Sequence, residues 1–204
     1  MTRHHFSFLA LGDSYTVGEN IPVFESFPYQ VVQLLRNKGL LFNAPEIAAK
    51  TGWATGELAE HILHTKLLEK YDFVSLLIGV NNQYRSLPIE EYAADFEYLL
   101  KKAIHLTDEQ ASHVIVLSIP DWSVTPHAEG SNITKVAAEI DAFNEVNARL
   151  AKQYGVHYID VTTGIRQNWD DLSQVASDGL HLSGKVYARW AADIAEYIMQ
   201  LTTR

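Results

Sequence analysis

The stretch FVSLLIGVNN, residues 73–82, decides how this chain is organised. Residues 73–78 are apolar throughout except for Ser75, the composition of a strand buried on both faces rather than one with a solvent side. The run stops at Gly79, and two asparagines follow, so a central parallel strand is predicted to end in a polar loop. Towards the N-terminus, residues 6–11 read as a second buried strand leading into the turn GDSYTVGEN, residues 12–20. Residues 27–39 then place Phe27, Val31, Leu34 and Leu35 on one helical face, with Pro28 in the first turn and Gly39 at the end. A short strand is expected at 46–50 and a helix at 54–70, its face made by Leu58, Ile62 and Leu63. Towards the C-terminus, helices are expected at 88–106, 133–154 and 184–201, strands at 113–119 and 156–161, and an irregular or briefly helical segment at 162–183.

Strands that alternate with helices imply right-handed crossovers and a parallel sheet of about five strands covered on both faces. The loops that matter in such a sheet lie past the carboxyl ends of the strands. GDS at 12–14, TGW at 51–53, GVNN at 79–82 and PDW at 120–122 each follow an expected strand, so they should meet on one edge. A length of 204 residues with 47% hydrophobic residues suits one core, and a single domain over 1–204 is expected.

Cysteine is absent, which removes thiolate nucleophiles, disulfides and Cys-based metal sites, so covalent catalysis must run through oxygen or nitrogen. A net charge of −9 with scattered basic residues opposes nucleic acid and anionic membrane as partners. No apolar run approaches the ~20 residues of a membrane span, and the one at 6–11 is too short for a signal peptide. The expectation is therefore a cytoplasmic protein without integral membrane association, with a secreted mature form also compatible.

Ser14 lies between a buried strand and a helix, where an exposed hydroxyl can sit beside unpaired backbone N–H groups. Such a hydroxyl attacks a carbonyl only with a base in contact. In SDGLHLSG, Asp178 and His181 stand three residues apart, a spacing that lets a carboxylate accept the Nδ1 hydrogen and leaves Nε2 free to take a proton. The Ser14 amide, the Gly52 amide and the Asn81 side chain are three donors from three loops that can meet a developing oxyanion. Taken singly, each of these has a plainer reading: a capping serine, a surface aspartate with a core histidine, a turn glycine, a strand-end cap.

In combination the motifs resemble a known family. GDSYTVGE at 12–19, the glycine of TGW at Gly52, GVNN at 79–82 and DGLH at 178–181 are similar, in order and spacing, to the hallmark blocks of the SGNH hydrolases, the GDSL-type esterases and lipases. The resemblance spans about residues 6–199 and implies a flavodoxin-like three-layer α/β/α sandwich. It implies Ser14 as nucleophile, His181 as base and Asp178 as its orienting acid, with Ser14, Gly52 and Asn81 as oxyanion hole. It also implies a small-molecule ester as substrate. Two positions depart from the family pattern: Tyr15 replaces a leucine, and Asn82 stands where the third block usually carries aspartate. Asn82 keeps a carbonyl acceptor but has lost the charge.

Tyr15, Trp53, Tyr84, Trp122 and Trp169 fall in or near the loops and can line an acyl or leaving-group pocket, or pack beneath the loops instead. His127 can rim the pocket, and Asp121 is a rival acid. His61, His64, His105 and His113 form no HExxH arrangement, so no zinc site is expected, and the hydrolytic chemistry calls for no metal or organic cofactor. The competing class is a non-catalytic module that binds phosphate or flavin mononucleotide through GDSYTVG, which leaves Asp178 and His181 without a role.

Overall fold

The computed structural model describes residues 4–202. Five parallel strands form its sheet in the order β2-β1-β3-β4-β5: β1 Phe8–Gly12, β2 Glu46–Ala49, β3 Phe73–Leu77, β4 Val114–Leu117 and β5 His157–Ile159. β1, β3 and β4 are buried along their whole length, as their apolar runs, interrupted in β3 by Ser75, require. The helices are α1 Ser14–Val17, α2 Phe27–Asn37, α3 Thr55–His64, α4 Val80–Tyr84, α5 Ile89–Leu106, α6 Ile133–Tyr154, α7 Thr162–Gln167 and α8 Gly184–Thr202. α2 packs on α8, while α3 and α6 flank α5, which packs on β3, so helices cover both faces of the sheet. The core joins Phe27, Val31 and Leu35 of α2, Tyr92, Phe96 and Leu100 of α5 and Tyr187, Trp190 and Ile194 of α8 to the strands.

The α/β/α architecture follows the expected alternation, with one boundary clearly displaced. α3 ends at His64 rather than near residue 70, and Thr65 adopts extended backbone with φ −97° and ψ 134°. After Ile62 the positions that continue its buried face are Thr65, Lys66 and Glu69, so no apolar stripe remains to hold a longer helix down. The chain is anchored instead by Tyr71, whose hydroxyl accepts the Leu68 amide at 3.1 Å and donates to Glu46 Oε2 at 2.5 Å.

Strand order places the functional loops. The chain leaves β1 to one side to form β2 and returns to the other to form β3, so direction reverses between β1 and β3, where open parallel sheets leave a crevice. Gly12 pairs with Leu77 on one side and Ala49 on the other, which brings the loops that follow β1, β2 and β3 to one edge.

Candidate active site

Asp13 leaves β1 in extended conformation and caps α1, its Oδ1 accepting the Tyr15 amide at 3.0 Å. Its carbonyl oxygen accepts the amides of Thr16 at 3.0 Å and Val17 at 3.1 Å. The first turn therefore commits three amides to Asp13, and Ser14 is held at the helix start with its own amide meeting no protein acceptor among the described residues. Burial pushes the Asp13 carboxyl up to about 7, against hydrogen bonds from the backbone of Tyr15 and Gly79 that favour its charge.

Asp178 sits in a turn that folds back on itself. Its Oδ1 accepts the amides of Leu180 and His181, each at 3.0 Å, and its Oδ2 accepts His181 Nδ1 at 2.5 Å. Burial raises this carboxyl, but the bonds from His181 and the two amides outweigh it and hold the pKa at about 2. An ionised carboxylate on Nδ1 fixes the tautomer and leaves Nε2 to accept a proton. A further donor to Oδ2 is Asn20 Nδ2, at 2.5 Å, which the motifs did not single out. Its one signal in the sequence is its place at the end of GDSYTVGEN, where asparagine suits the positive φ of 61° found there.

Gly52 has φ +84°, a conformation that favours glycine, and its amide also meets no protein acceptor among the described residues. Its carbonyl accepts Arg85 Nη2, and Arg85 Nη1 reaches Glu57 Oε2 at 3.0 Å, which fixes the direction of this peptide. Asn81 donates one hydrogen of its amide group to Trp53 O at 2.9 Å, which leaves the second available. Gly79, before it, has φ 134°, and an added Cβ would lie 2.7 Å from both Ile119 Cδ1 and the Tyr92 hydroxyl. That clash explains why the strand breaks at a glycine.

Ser14, Gly52, Asn81 and His181 line one cavity of about 200 Å³. Ser14 and His181 share it without a direct hydrogen bond, a contact that commonly tightens only with substrate present. Tyr15, Tyr84, Trp122 and His127 also wall it, together with Thr51, Val80 and Leu180. Trp53 is not among the lining residues; its ring lies 4.7 Å from that of His61. Trp169 lines a separate groove of about 960 Å³ with Ile133 and Pro126. Asp121 is committed elsewhere: one oxygen takes the Ser123 amide at 2.8 Å and the other Arg166 Nε at 2.7 Å. Among the described residues no cluster of three or more His, Asp or Glu side chains is arranged to hold a metal ion.

The model of the GDSL-like lipase/acylhydrolase family matches residues 10–189. The chain belongs to this family. Similar proteins include the isoamyl acetate-hydrolyzing esterase 1 homologs of rat, 23% identical over 145 residues and 65% of this chain, and human, 24% identical over 148 residues and 66% of this chain. The matched region spans 58% of the length of either relative, so this chain compares with little more than half of them. Among solved structures, a lipase/acylhydrolase from Enterococcus faecalis superposes with a TM-score of 0.75 at 19% identity, over 95% of both chains. An acetylxylan esterase from Geobacillus stearothermophilus gives 0.72 at 18% identity, over 97% of this chain and 94% of the other. These likenesses establish the shared fold of a GDSL-like protein. No described helix is long and apolar enough to cross a membrane.

Proposed function

We propose that this protein is a serine esterase that hydrolyses small carboxylic esters through a covalent acyl-enzyme. The observation that carries this reading is the bond from His181 Nδ1 to the ionised Asp178, with His181 itself lining a cavity that also holds Ser14 and two amides without protein acceptors. His181 Nε2 takes the Ser14 proton as Oγ attacks the ester carbonyl. The amides of Ser14 and Gly52 and the free hydrogen of Asn81 receive the charge that develops on the carbonyl oxygen. The tetrahedral intermediate collapses as imidazolium gives its proton to the departing alcohol. Water then attacks the acyl group with His181 again as base, which releases the acid and restores Ser14.

A cavity of about 200 Å³ favours short acyl groups and falls below the ~300–1,000 Å³ usual for drug-sized ligands. That size also counts against flavin mononucleotide, as does the commitment of the Tyr15, Thr16 and Val17 amides to Asp13, where a phosphate cradle needs them free. The deciding experiment is hydrolysis of 4-nitrophenyl esters from acetate to octanoate by wild type and Ser14→Ala. Turnover in wild type, lost on the order of 10³-fold or more in the variant, supports the reading. Equal turnover in both, or a yellow protein that releases flavin on denaturation, overturns it.

A further inference from the structure

The segment that follows the nucleophile holds two distant parts of the site at once. Gly18 ends α1 with φ 75°, and Asn20 again turns left-handed with φ 61°. Glu19, between them, accepts the Thr51 hydroxyl on its Oε2, beside the oxyanion-hole glycine. Asn20 donates to Asp178 Oδ2 at 2.5 Å, across 158 residues of sequence. The nucleophile's own loop therefore grips both the loop after β2 and the acid of the acid–base pair.

Resting on the esterase reading above, we propose that Asn20 is a positioning residue for that pair. It fixes the Asp178 carboxylate from the side that the 178–181 turn cannot reach. The two local amides hold Oδ1, whereas Oδ2 is shared between His181 Nδ1 and Asn20 Nδ2. Without Asn20 the carboxylate would be oriented only by its own turn, and among the described contacts the turn would meet the Ser14 loop through the rings of Tyr15 and His181, 5.7 Å apart, with no hydrogen bond. Asn20 is exposed and lies outside the cavity lining, so its effect on substrate is indirect.

The side chain suits the task for two reasons. An amide donates to a carboxylate without adding charge, so it orients Asp178 without competing with the imidazolium that forms on His181 during the reaction. Asparagine also tolerates positive φ better than other residues with a side chain, glycine aside. The other ionisable groups that feel Asp178 from packed elements include Tyr15 of α1 and Tyr187 of α8, both pushed far above their ordinary range by burial. His127 approaches through its backbone, whose amide donates to Gly179 O at 3.0 Å.

The test uses Asn20→Gly, which removes the donor at a backbone angle glycine accepts, and Asn20→Asp, which keeps the shape but presents a second carboxylate. In Asn20→Gly, kcat for 4-nitrophenyl acetate is expected to fall about five- to tenfold with KM nearly unchanged. In Asn20→Asp, the added negative charge favours imidazolium, so the acidic limb of kcat/KM should move up by about one pH unit. A second readout needs no activity: the His181 Nδ1–H proton resonance, identified by its loss in His181→Gln, should shift or broaden in both variants. Wild-type kcat and pH limb in both variants overturn the proposal. If wild type hydrolyses no ester, the resonance alone decides: movement in both variants supports the positioning role, and no movement overturns it.

Discussion

Asn82 donates through Nδ2 to the hydroxyl of Thr55 at 2.8 Å while its Oδ1 accepts the Thr55 amide at 3.0 Å. The backbone amide can only donate, so this pairing sets the orientation of the asparagine. With its oxygen occupied as acceptor, the Thr55 hydroxyl sends its own proton to Asp95 Oδ2 at 3.0 Å. Asn82 is thereby linked through the Thr55 hydroxyl to the carboxyl group of Asp95.

From that relay follows the first prediction. Asn82→Asp would set two carboxylates competing for the single proton of Thr55, at a site where Asn82 and Thr55 are both buried. The cost should be about 1–3 kcal/mol of stability. Adding Asp95→Asn should recover much of it, since the replacement can donate to the hydroxyl. Urea unfolding of the two single variants and the double variant measures the coupling, and strictly additive effects would show that the relay carries no energy.

A second prediction concerns Asp13, whose carboxyl is pushed up to about 7 by burial. Its folded-state value lies above its unfolded one, so the folded protein holds this proton more tightly. The stabilisation is complete below about pH 4 and is lost as pH rises through about 7. In Asp13→Asn the side-chain carbonyl would still accept the Tyr15 amide and would not titrate. The urea midpoint of wild type relative to Asp13→Asn should therefore decline between pH 4 and pH 8, and a constant difference would contradict the raised value.

The third prediction concerns cavity depth. Trp122 is held by a bond from Nε1 to Gln83 Oε1 at 2.8 Å, and Gln83 Nε2 in turn donates to Glu139 Oε2 at 2.8 Å. Its ring walls the cavity that holds Ser14 and His181, whereas Ser123 to Pro126 line the separate groove of about 960 Å³. Trp122→Ala should open the first space towards the second and raise the octanoate-to-acetate ratio of kcat/KM by about tenfold or more. An unchanged ratio with activity retained would place the limiting wall elsewhere.

Much of this molecule is written in short windows of sequence. The apolar run at 73–78, interrupted by Ser75 alone, reads as an inner strand, and the helical stripes of α5, α6 and α8 have periods that each segment carries by itself. The bond from His181 to Asp178 is equally local, because a three-residue separation brings the two side chains together within one turn. Contacts between loops were decided by the tertiary structure. Asn20 meets Asp178, and Arg85 meets the carbonyl of Gly52, only because strand order and register bring the ends of separate crossovers to one edge. Which tryptophan faces the cavity was settled in the same way: Trp122 has a buried partner that turns its ring inward, whereas Trp53 finds His61 on the helix that follows it. Periodicity belongs to a segment and can be read from it, but the direction of a loop side chain depends on neighbours that sequence separation conceals.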